Sequence, residues 1–558
     1  MTEDEAGIAL EHADNAAEGR DANPKHASLD AAAKGQGVSG YETLTPWETM
    51  KAFKLCSATC LAVAFSAATD GYQIGQFATE TTAAGEPNLA APILSGWSSI
   101  MSVGQIVGMT TVPFLSDRLG RKGAMYWYWL VLCASVLCEC VARTWPVWLV
   151  AKLLAGVGVG SLQSTVPTYI AEVAPTRIRG GLLLAYSFWF ALGQFFAPVA
   201  LQVVSGYAPD DWLTPVYTQW GQVGLMVVVY ALVPESPAWC VTRGRLDAAR
   251  TSLRRLYRDV EGYDVEQQLQ LLVIAVDHEL EVARARENVR WHAVFRGVDG
   301  RRTVTALWTL MTQQFVGLTL FSTFASYFFK QAGIRDPFQA TCITSGINIA
   351  SGVVFILLAD RVGRRWISCS GTTLSWLACV AIGVLGVVPR RGPTSVLLVL
   401  FACLWSECVS LFSVLWRACK DACKRRSMLT CAAVDIGMTA NGATGWGFIG
   451  EISSQRLRPY TAGFGAASTA CAGVVMNVLT PYMVDGNRWN WELRTAFFYV
   501  GVGLPFVIAM WFLIPETKGR SAAELDELFE RGVKPWRFHK TQTATERLVN
   551  ANHDENDA

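Results

Sequence analysis

The chain has 558 residues, of which 51% are hydrophobic and 17% are charged, and its mean hydropathy is +0.27. A soluble protein carries roughly 25% charged residues, so this composition excludes an ordinary soluble domain and indicates membrane-spanning segments. The net charge of +1 provides no basic field, and we expect no nucleic-acid partner.

The apolar segments fall into two sets after a polar start. Residues 1–50 lack an apolar core, which predicts a disordered tail without a cleavable signal peptide. Segments long enough to span a bilayer lie near 53–77, 93–115, 123–142, 147–171, 181–205 and 215–233, and again near 303–329, 338–359, 366–388, 395–451, 460–484 and 495–514. They predict an all-α membrane protein with about twelve transmembrane helices in two six-helix halves, 51–233 and 303–514.

The segment between the halves is polar. Residues 234–302 are rich in Arg, Glu, Asp and Gln, and helical spacing of leucines over 246–256 predicts a soluble helical linker. Lys and Arg concentrate in loops that this arrangement places on one side. The positive-inside rule therefore predicts that the linker, both termini and the tail 515–558 are cytoplasmic.

One charged motif occurs twice, each time directly after an apolar run. Residues 116–122 have the sequence SDRLGRK, and residues 359–365 have the sequence ADRVGRR. The repeat indicates that the chain arose by duplication of a half. The glycine of each motif allows a tight turn, and Asp117 and Asp360 can pair with cations and helix ends.

Six short signatures follow one another in a fixed order. They are Asp117–Lys122, Gly156–Gly160 running to Pro167–Glu172, Pro234–Pro237, Gln313–Gly317, Asp360–Arg365 and Pro515–Gly519. Over about 50–530 the chain resembles the sugar porter family of the major facilitator superfamily, with details most similar to fungal maltose/α-glucoside transporters. The resemblance implies the major facilitator fold and transport of a sugar by alternating access. We expect no enzymatic activity, cofactor or metal, since no nucleophile–base set or metal cluster occurs and most of the 15 cysteines lie in apolar runs.

A sugar site needs amides and hydroxyls that donate and accept hydrogen bonds, together with an aromatic face. Polar groups within membrane helices are costly and usually functional. By position, the resemblance implies that the substrate-binding residues are Gln313, Gln314, Asn348, Trp446, Asn477, Ser187 and Gln194. For each of them an interhelical hydrogen bond is the alternative.

The resemblance also implies a cytoplasmic gate made of charged residues at helix ends. Its predicted members are Asp117, Arg118, Arg121, Glu172, Arg179, Glu235, Asp360, Arg361, Arg364, Glu451, Arg458 and Glu516. Such a network holds one state of the transporter and breaks when the gate opens. The alternative is a solvated rim of helix caps and positive-inside loops.

The chain departs from the family at the positions that couple proton movement to transport. Proton symporters of the family usually carry Gly-Tyr-Asp in helix 1, whereas here the acid is replaced by Gln73. Asp70 lies one turn away and Lys152 replaces the usual helix-4 arginine, so an Asp70–Lys152 pair is the candidate for proton coupling. A uniporter remains the alternative.

Other features of the sequence allow alternatives to a sugar substrate. Thr319 replaces the usual asparagine after the glutamines, so a transporter of another polyhydroxy or secondary metabolite is an alternative. A sugar sensor is less favoured, since such proteins usually carry long signalling tails. We expect a monomer in the plasma membrane whose partners are a sugar, protons and the lipid bilayer.

Helix 10 contains an anomalous insertion. Residues 407–439 interrupt an apolar run and include Arg417, Lys420 and Lys424. A charge at mid-bilayer costs about 3 kcal/mol on insertion scales. The flanking sequences rejoin in family register without this segment, so our hypothesis is a retained intron or a gene-model error.

Overall fold

The computed structural model describes residues 46–75, 91–207, 213–260, 263–287, 294–331, 338–349, 364–387, 452, 458–485, 487–517 and 522–541. Every regular element within these residues is a helix, which confirms the all-α prediction. The span predicted near 395–451, together with its insertion 407–439, lies outside the described residues.

The helices of the first half are α1 (Pro46–Ala52), α2 (Lys54–Ala64), α3 (Ala67–Gly75), α4 (Ala91–Leu119), α5 (Arg121–Val141), α6 (Trp145–Val173), α7 (Thr176–Tyr207) and α8 (Leu213–Leu232). The linker contains α9 (Pro237–Thr242), α10 (Leu246–Leu256) and α11 (Val265–Glu287). The remaining helices are α12 (Gly297–Phe315), α13 (Ala325–Gln331), α14 (338–349), α15 (Arg364–Leu385), α16 (Arg458–Val484), α17 (Thr495–Leu513) and α18 (Ala522–Glu530).

Many of these helices are long and apolar enough to cross a membrane. In the described part seven segments meet that requirement: Ala91–Leu119, Arg121–Val141, Trp145–Val173, Gly181–Val204, Ser368–Leu385, Gly463–Val484 and Glu492–Leu513. The chain is therefore a multi-pass membrane protein, as its composition predicts.

Two predicted spans are interrupted. The span near 53–77 is divided between α2 and α3 by a turn. The span near 303–329 breaks after α12, where Gly317 adopts a left-handed conformation with φ of +111° and a π-helix follows over Thr319–Thr323. Only glycine takes that conformation readily, so the break is encoded locally.

Small residues allow α4, α5 and α6 to approach closely. A Cβ atom on Gly156 or Gly160 of α6 would overlap the backbone of α4, at Met101 and Gln105 respectively. A Cβ atom on Gly158 would instead overlap Leu132 of α5. The glycine motif of α6 therefore serves packing against helices on two sides.

The linker helices pack on one another around Trp239, Leu253 and Leu269. The side chain of Ser236 caps α9 by accepting a hydrogen bond from Trp239 N at 3.4 Å. The indole of Trp239 donates in turn to Asp117 O at 3.0 Å. The linker is thus attached to the last turn of α4, within the charged motif 116–122.

Candidate functional site

A cavity of about 330 Å³ lies between the two halves of the described structure. Helices α4 and α16, together with the end of α12 and the π-helix that follows it, supply most of its walls. Its polar lining residues are Ser98, Ser102, Gln105, Gln163, Gln313, Gln314, Thr319, Thr323, Thr469 and Asn477, and its larger apolar ones are Ile74, Met101, Met109, Phe190 and Leu318. Amides and hydroxyls of this kind can both donate and accept hydrogen bonds.

The break after α12 positions the two predicted glutamines. Gln313 and Gln314 occupy the last turn of α12, just before Gly317 ends the regular helix. Gln314 is 9% exposed and Gln313 is half-buried, and both line the cavity. The structure therefore brings this predicted pair together, with their amides on the cavity wall.

Asn477 also lines the cavity, but its amide has a protein partner. Its Nδ2 donates to Ser102 Oγ of α4 at 3.0 Å, which links the second half to the first. Gln194 lies outside the lining and donates to Ser322 Oγ at 2.8 Å, so it joins α7 to the π-helix. In this conformation both residues make the interhelical hydrogen bonds that were the alternative to sugar binding.

Two other predicted substrate ligands that the structure describes do not line this cavity. Ser187 of α7 and Asn348 of α14 are half-buried, and neither belongs to the lining. Trp446 lies outside the described residues.

Sequence reasoning missed two glutamines in the lining. Gln105 of α4 and Gln163 of α6 are each the amide of an otherwise apolar helical stretch. The signal that could have found them is the cost of placing an amide at mid-membrane without a function.

At one end of the cavity α4 and α16 contact each other, and we call this contact the seal. Its members are Ala91, Ser95 and Ser98 on α4 and Asn477, Val478 and Asp485 on or beside α16. The Ala91 N–H donates to Asp485 Oδ2 at 3.4 Å, and Ser95 Oγ donates to Val478 O at 3.0 Å. Because α4 runs from the seal to residues 116–122, the seal and that charged loop lie at opposite ends of the cavity.

Asp70 of α3 is buried beside the cavity. It is 1% exposed, and its Oδ2 accepts hydrogen bonds from Gln163 Nε2 at 2.7 Å and from Tyr186 OH at 3.5 Å. Its other oxygen, Oδ1, is buried and has no hydrogen-bond partner among the described residues. Asp70 therefore contacts a cavity-lining amide on one side and has an unsatisfied oxygen on the other.

Lys152 pairs with a different acid, which corrects the predicted Asp70–Lys152 pair. Its Nζ lies 3.0 Å from Glu139 Oε1 of α5 and donates to Gln73 Oε1 at 3.1 Å. Gln219 Nε2 donates to Glu139 Oε2 at 2.9 Å, and Gln73 Nε2 donates to Gln219 Oε1 at 2.5 Å. The four side chains form a closed ring that joins α3, α5, α6 and α8.

The predicted Asp70–Lys152 pairing was wrong because a third buried charge, Glu139, is the partner of Lys152. Glu139 is 0% exposed and Lys152 is 2% exposed, so each needs the other as a counter-ion. Glu139 is a single acid within the apolar run of α5, and that isolation is the signal that could have found it.

The charged loop 116–122 and its neighbours form the first-half latch: Asp117, Arg121, Glu172 and Glu235. The Arg121 guanidinium lies 2.7 Å from Glu172 Oε1 and 3.3 Å from Asp117 Oδ1. Glu235 Oε1 accepts from Arg121 N at 2.9 Å, so a carboxylate caps the N-terminus of α5, where the helix dipole favours negative charge. Gly120 has φ of +92°, and a Cβ there would overlap the Glu235 carboxylate.

The second half repeats part of this arrangement. Glu516 Oε1 accepts from Arg365 N at 3.5 Å, and Arg365 Nη2 donates to Trp511 O at 2.6 Å. In the first half Lys122, at the position that matches Arg365, likewise donates from its backbone to Glu235 at 3.1 Å and from Nζ to Val233 O at 2.8 Å. The repeated contacts agree with duplication of a half.

Other predicted gate residues are not brought into the latch. Within the part of the chain that the structure describes, Arg118 is exposed and makes no ion pair, and the buried Nε of Arg179 has no hydrogen-bond partner. The remaining predicted members have side chains outside the described residues: Asp360, Arg361, Arg364, Glu451 and Arg458.

The chain is similar to known transporters over most of its length. The family model described as "Sugar (and other) transporter" matches residues 60–529. The chain is 28% identical over 478 residues to MFS transporter fmqE of Aspergillus fumigatus, covering 80% of this chain and 79% of that protein. It is 25% identical over 454 residues to the general alpha-glucoside permease of Saccharomyces cerevisiae, covering 80% of this chain and 68% of the permease.

A solved structure shares the fold. The inward-open conformation of the xylose transporter XylE from E. coli superposes with a TM-score of 0.63 at 19% identity. The match covers 86% of this chain and 99% of XylE. At this identity the likeness shows the major facilitator fold.

Proposed function

Because this chain belongs to the sugar transporter family of the major facilitator superfamily, we propose that it moves a hexose or an α-glucoside across the plasma membrane in symport with protons. The observation that carries the proposal is the cavity between the halves, which is lined by amides and hydroxyls and has the seal at one end. Its relatives named above are transporters rather than enzymes.

The cavity suits a polyhydroxylated molecule. Gln105, Gln163, Gln313 and Gln314 can each accept from and donate to sugar hydroxyls. The apolar walls at Met101, Met109 and Phe190 suit the C–H faces of a ring. A volume of about 330 Å³ lies at the lower end of the range of small-molecule sites, which favours one or two sugar rings.

Alternating access requires contacts that form in one state and break in the other. The seal joins the halves at one end, and the first-half latch groups its charges at the other. Opening the seal would release the Asn477 amide from Ser102 and expose the cavity on that side. Both termini then lie in the cytoplasm with the latch, as the positive-inside rule predicts.

Asp70 is the proposed proton site, and Lys152 has no part in the proposed coupling. Asp70 is buried and adjoins the cavity through Gln163, whereas Lys152 is neutralised by Glu139. Uniport is the alternative. Transport of another polyhydroxy or secondary metabolite is a second candidate, which the apolar side chains of Met101 and Met109 and the Thr319 departure favour.

Uptake of radiolabelled glucose and maltose by a yeast host without its own sugar transporters tests the proposal. We expect saturable uptake that a protonophore abolishes, and Gln313→Ala combined with Gln314→Ala should raise KM about 10-fold. Uptake of neither sugar would refute a sugar substrate, and uptake insensitive to the protonophore would refute symport. A matched chain that lacks 407–439 should transport better if that segment is a retained intron.

A further inference from the structure

Gln163 has two different environments at the two ends of its amide. Its Nε2 donates to the buried Asp70 Oδ2 at 2.7 Å. The side chain is half-buried in α6 and lines the cavity, and its Oε1 makes no hydrogen bond to any residue in the described ranges. One amide group therefore connects a buried acid with the space proposed for the substrate.

The surroundings of Asp70 determine which protonation state is favoured. From α7, Tyr186 OH lies 3.5 Å from Asp70 Oδ2. Tyr186 packs in the same core cluster as Tyr230 of α8 and Tyr128 of α5. Among the residues that the structure covers, no cation forms an ion pair with Asp70. A buried carboxylate with an unpartnered oxygen and no counter-ion is costly, so this conformation favours the protonated acid.

We propose that Gln163 is a positioning residue that links the proton on Asp70 to substrate affinity, an inference that rests on the proposed proton coupling at Asp70. A hydrogen bond to an ionised carboxylate is roughly twice as strong as one to a neutral acid. When Asp70 is charged, it holds the Gln163 amide. When Asp70 is protonated, the hydrogen bond weakens and the amide can turn to bind a substrate hydroxyl.

The linkage is reciprocal. If protonation of Asp70 improves substrate binding, bound substrate must favour protonation by the same factor. The difference between a charged and a neutral hydrogen bond corresponds to roughly a fivefold to tenfold change in affinity. Substrate and proton would therefore be carried together without any direct contact between them.

Uptake kinetics test the linkage with a matched control. In the wild-type chain, KM for glucose or maltose should rise roughly fivefold to tenfold as the pH is raised and Asp70 loses its proton. Gln163→Leu should remove this pH dependence. Gln105→Leu alters a lining amide without a hydrogen bond to Asp70, and it should raise KM equally at every pH. A Gln163→Leu variant that keeps the wild-type pH dependence of KM overturns the proposal.

Infrared spectra of the purified full chain, taken as differences between the wild type and each variant, test the same linkage without a substrate. The carbonyl stretch of a protonated carboxylic acid should be present in the wild type and absent in Asp70→Asn. Gln163→Leu should shift this band without removing it, since the variant loses the hydrogen bond to Oδ2. An unshifted band in Gln163→Leu overturns the linkage, and a band that survives Asp70→Asn overturns the proposed proton site. A shifted band without uptake of either sugar supports the linkage and refutes the proposed substrate.

Discussion

Replacing Glu139 by glutamine tests the buried ring most directly. Glu139 and Lys152 are 0% and 2% exposed, and their ion pair spans 3.0 Å. A glutamine at position 139 would remove the counter-ion of Lys152. It would also turn an NH₂ donor towards either the Lys152 ammonium or the Gln219 amide, both of which donate to Glu139.

We expect Glu139→Gln to lower the free energy of unfolding by about 3–5 kcal/mol, the usual cost of leaving one member of a buried ion pair alone. Removing both charges should lower the free energy of unfolding by less. The double variant Glu139→Leu with Lys152→Met has no uncompensated buried charge, although Gln73 and Gln219 each lose one hydrogen bond. That variant should recover about half of the loss or more.

Unfolding in mixed detergent micelles, followed by tryptophan fluorescence, gives the free energies. Arg250→Gln is the matched control, since Arg250 is 34% exposed and its partners Asp247 and Glu266 are more exposed still. An exposed pair contributes about 0–1 kcal/mol, so this variant should be close to wild type. A loss below about 1 kcal/mol in Glu139→Gln, or a double variant as unstable as the single one, would refute the assignment of a buried structural ion pair.

Three further predictions address other parts of the molecule. Arg121→Gln should cost about 1–3 kcal/mol of the same unfolding free energy, because it leaves the half-buried Glu172 without its cation, and Arg121→Lys should cost less; equal losses in both variants would contradict a role for the guanidinium fork. Asp485→Asn should weaken the contact with the N-terminus of α4 by about 0.5–1 kcal/mol. Labelling of a Ser98→Cys variant by a membrane-impermeant thiol reagent should then increase roughly twofold to fivefold, and an unchanged rate would argue against the seal. Burial raises the pKa of Cys240 in the linker to about 11 from an ordinary 9.0, so its thiolate fraction at pH 8 should be about 100-fold lower than that of a free thiol. Peptide-resolved alkylation should find Cys240 correspondingly slow in the folded chain and fast after denaturation, and equal rates would contradict its burial.

The linker also carries a pH dependence of known sign. Hydrogen bonds from Arg250 lower the pKa of Glu266. The ionised form is thus favoured by folding, so this contact stabilises the linker above the ordinary pKa of a glutamate and is lost as the pH falls through the lowered value. Both side chains are on the surface, so the effect on overall stability should be small.

Features carried by short motifs could be predicted from the sequence. The repeated loops at Asp117 and Asp360 indicated duplication, and Arg121, Glu172 and Glu235 do meet in the first-half latch. Gln313 and Gln314 were predicted from their match to the family's motif, and both line the cavity. The duplication follows from the spacing within one short motif. The gate residues, which lie on three different elements, and the glutamine pair follow from the resemblance to the family.

Partners contributed by other helices could not be predicted in this way. The partner of Lys152 is Glu139 on a neighbouring helix, and Asp70 is bonded to Gln163 instead. Likewise, Asn477 contacts Ser102 of the opposite half, although 375 residues separate the two along the chain. A sequence shows that a buried charge or amide needs a partner, because an unsatisfied one is costly. The packing of the helices decides which partner it has, since only tertiary structure brings those side chains within hydrogen-bond distance.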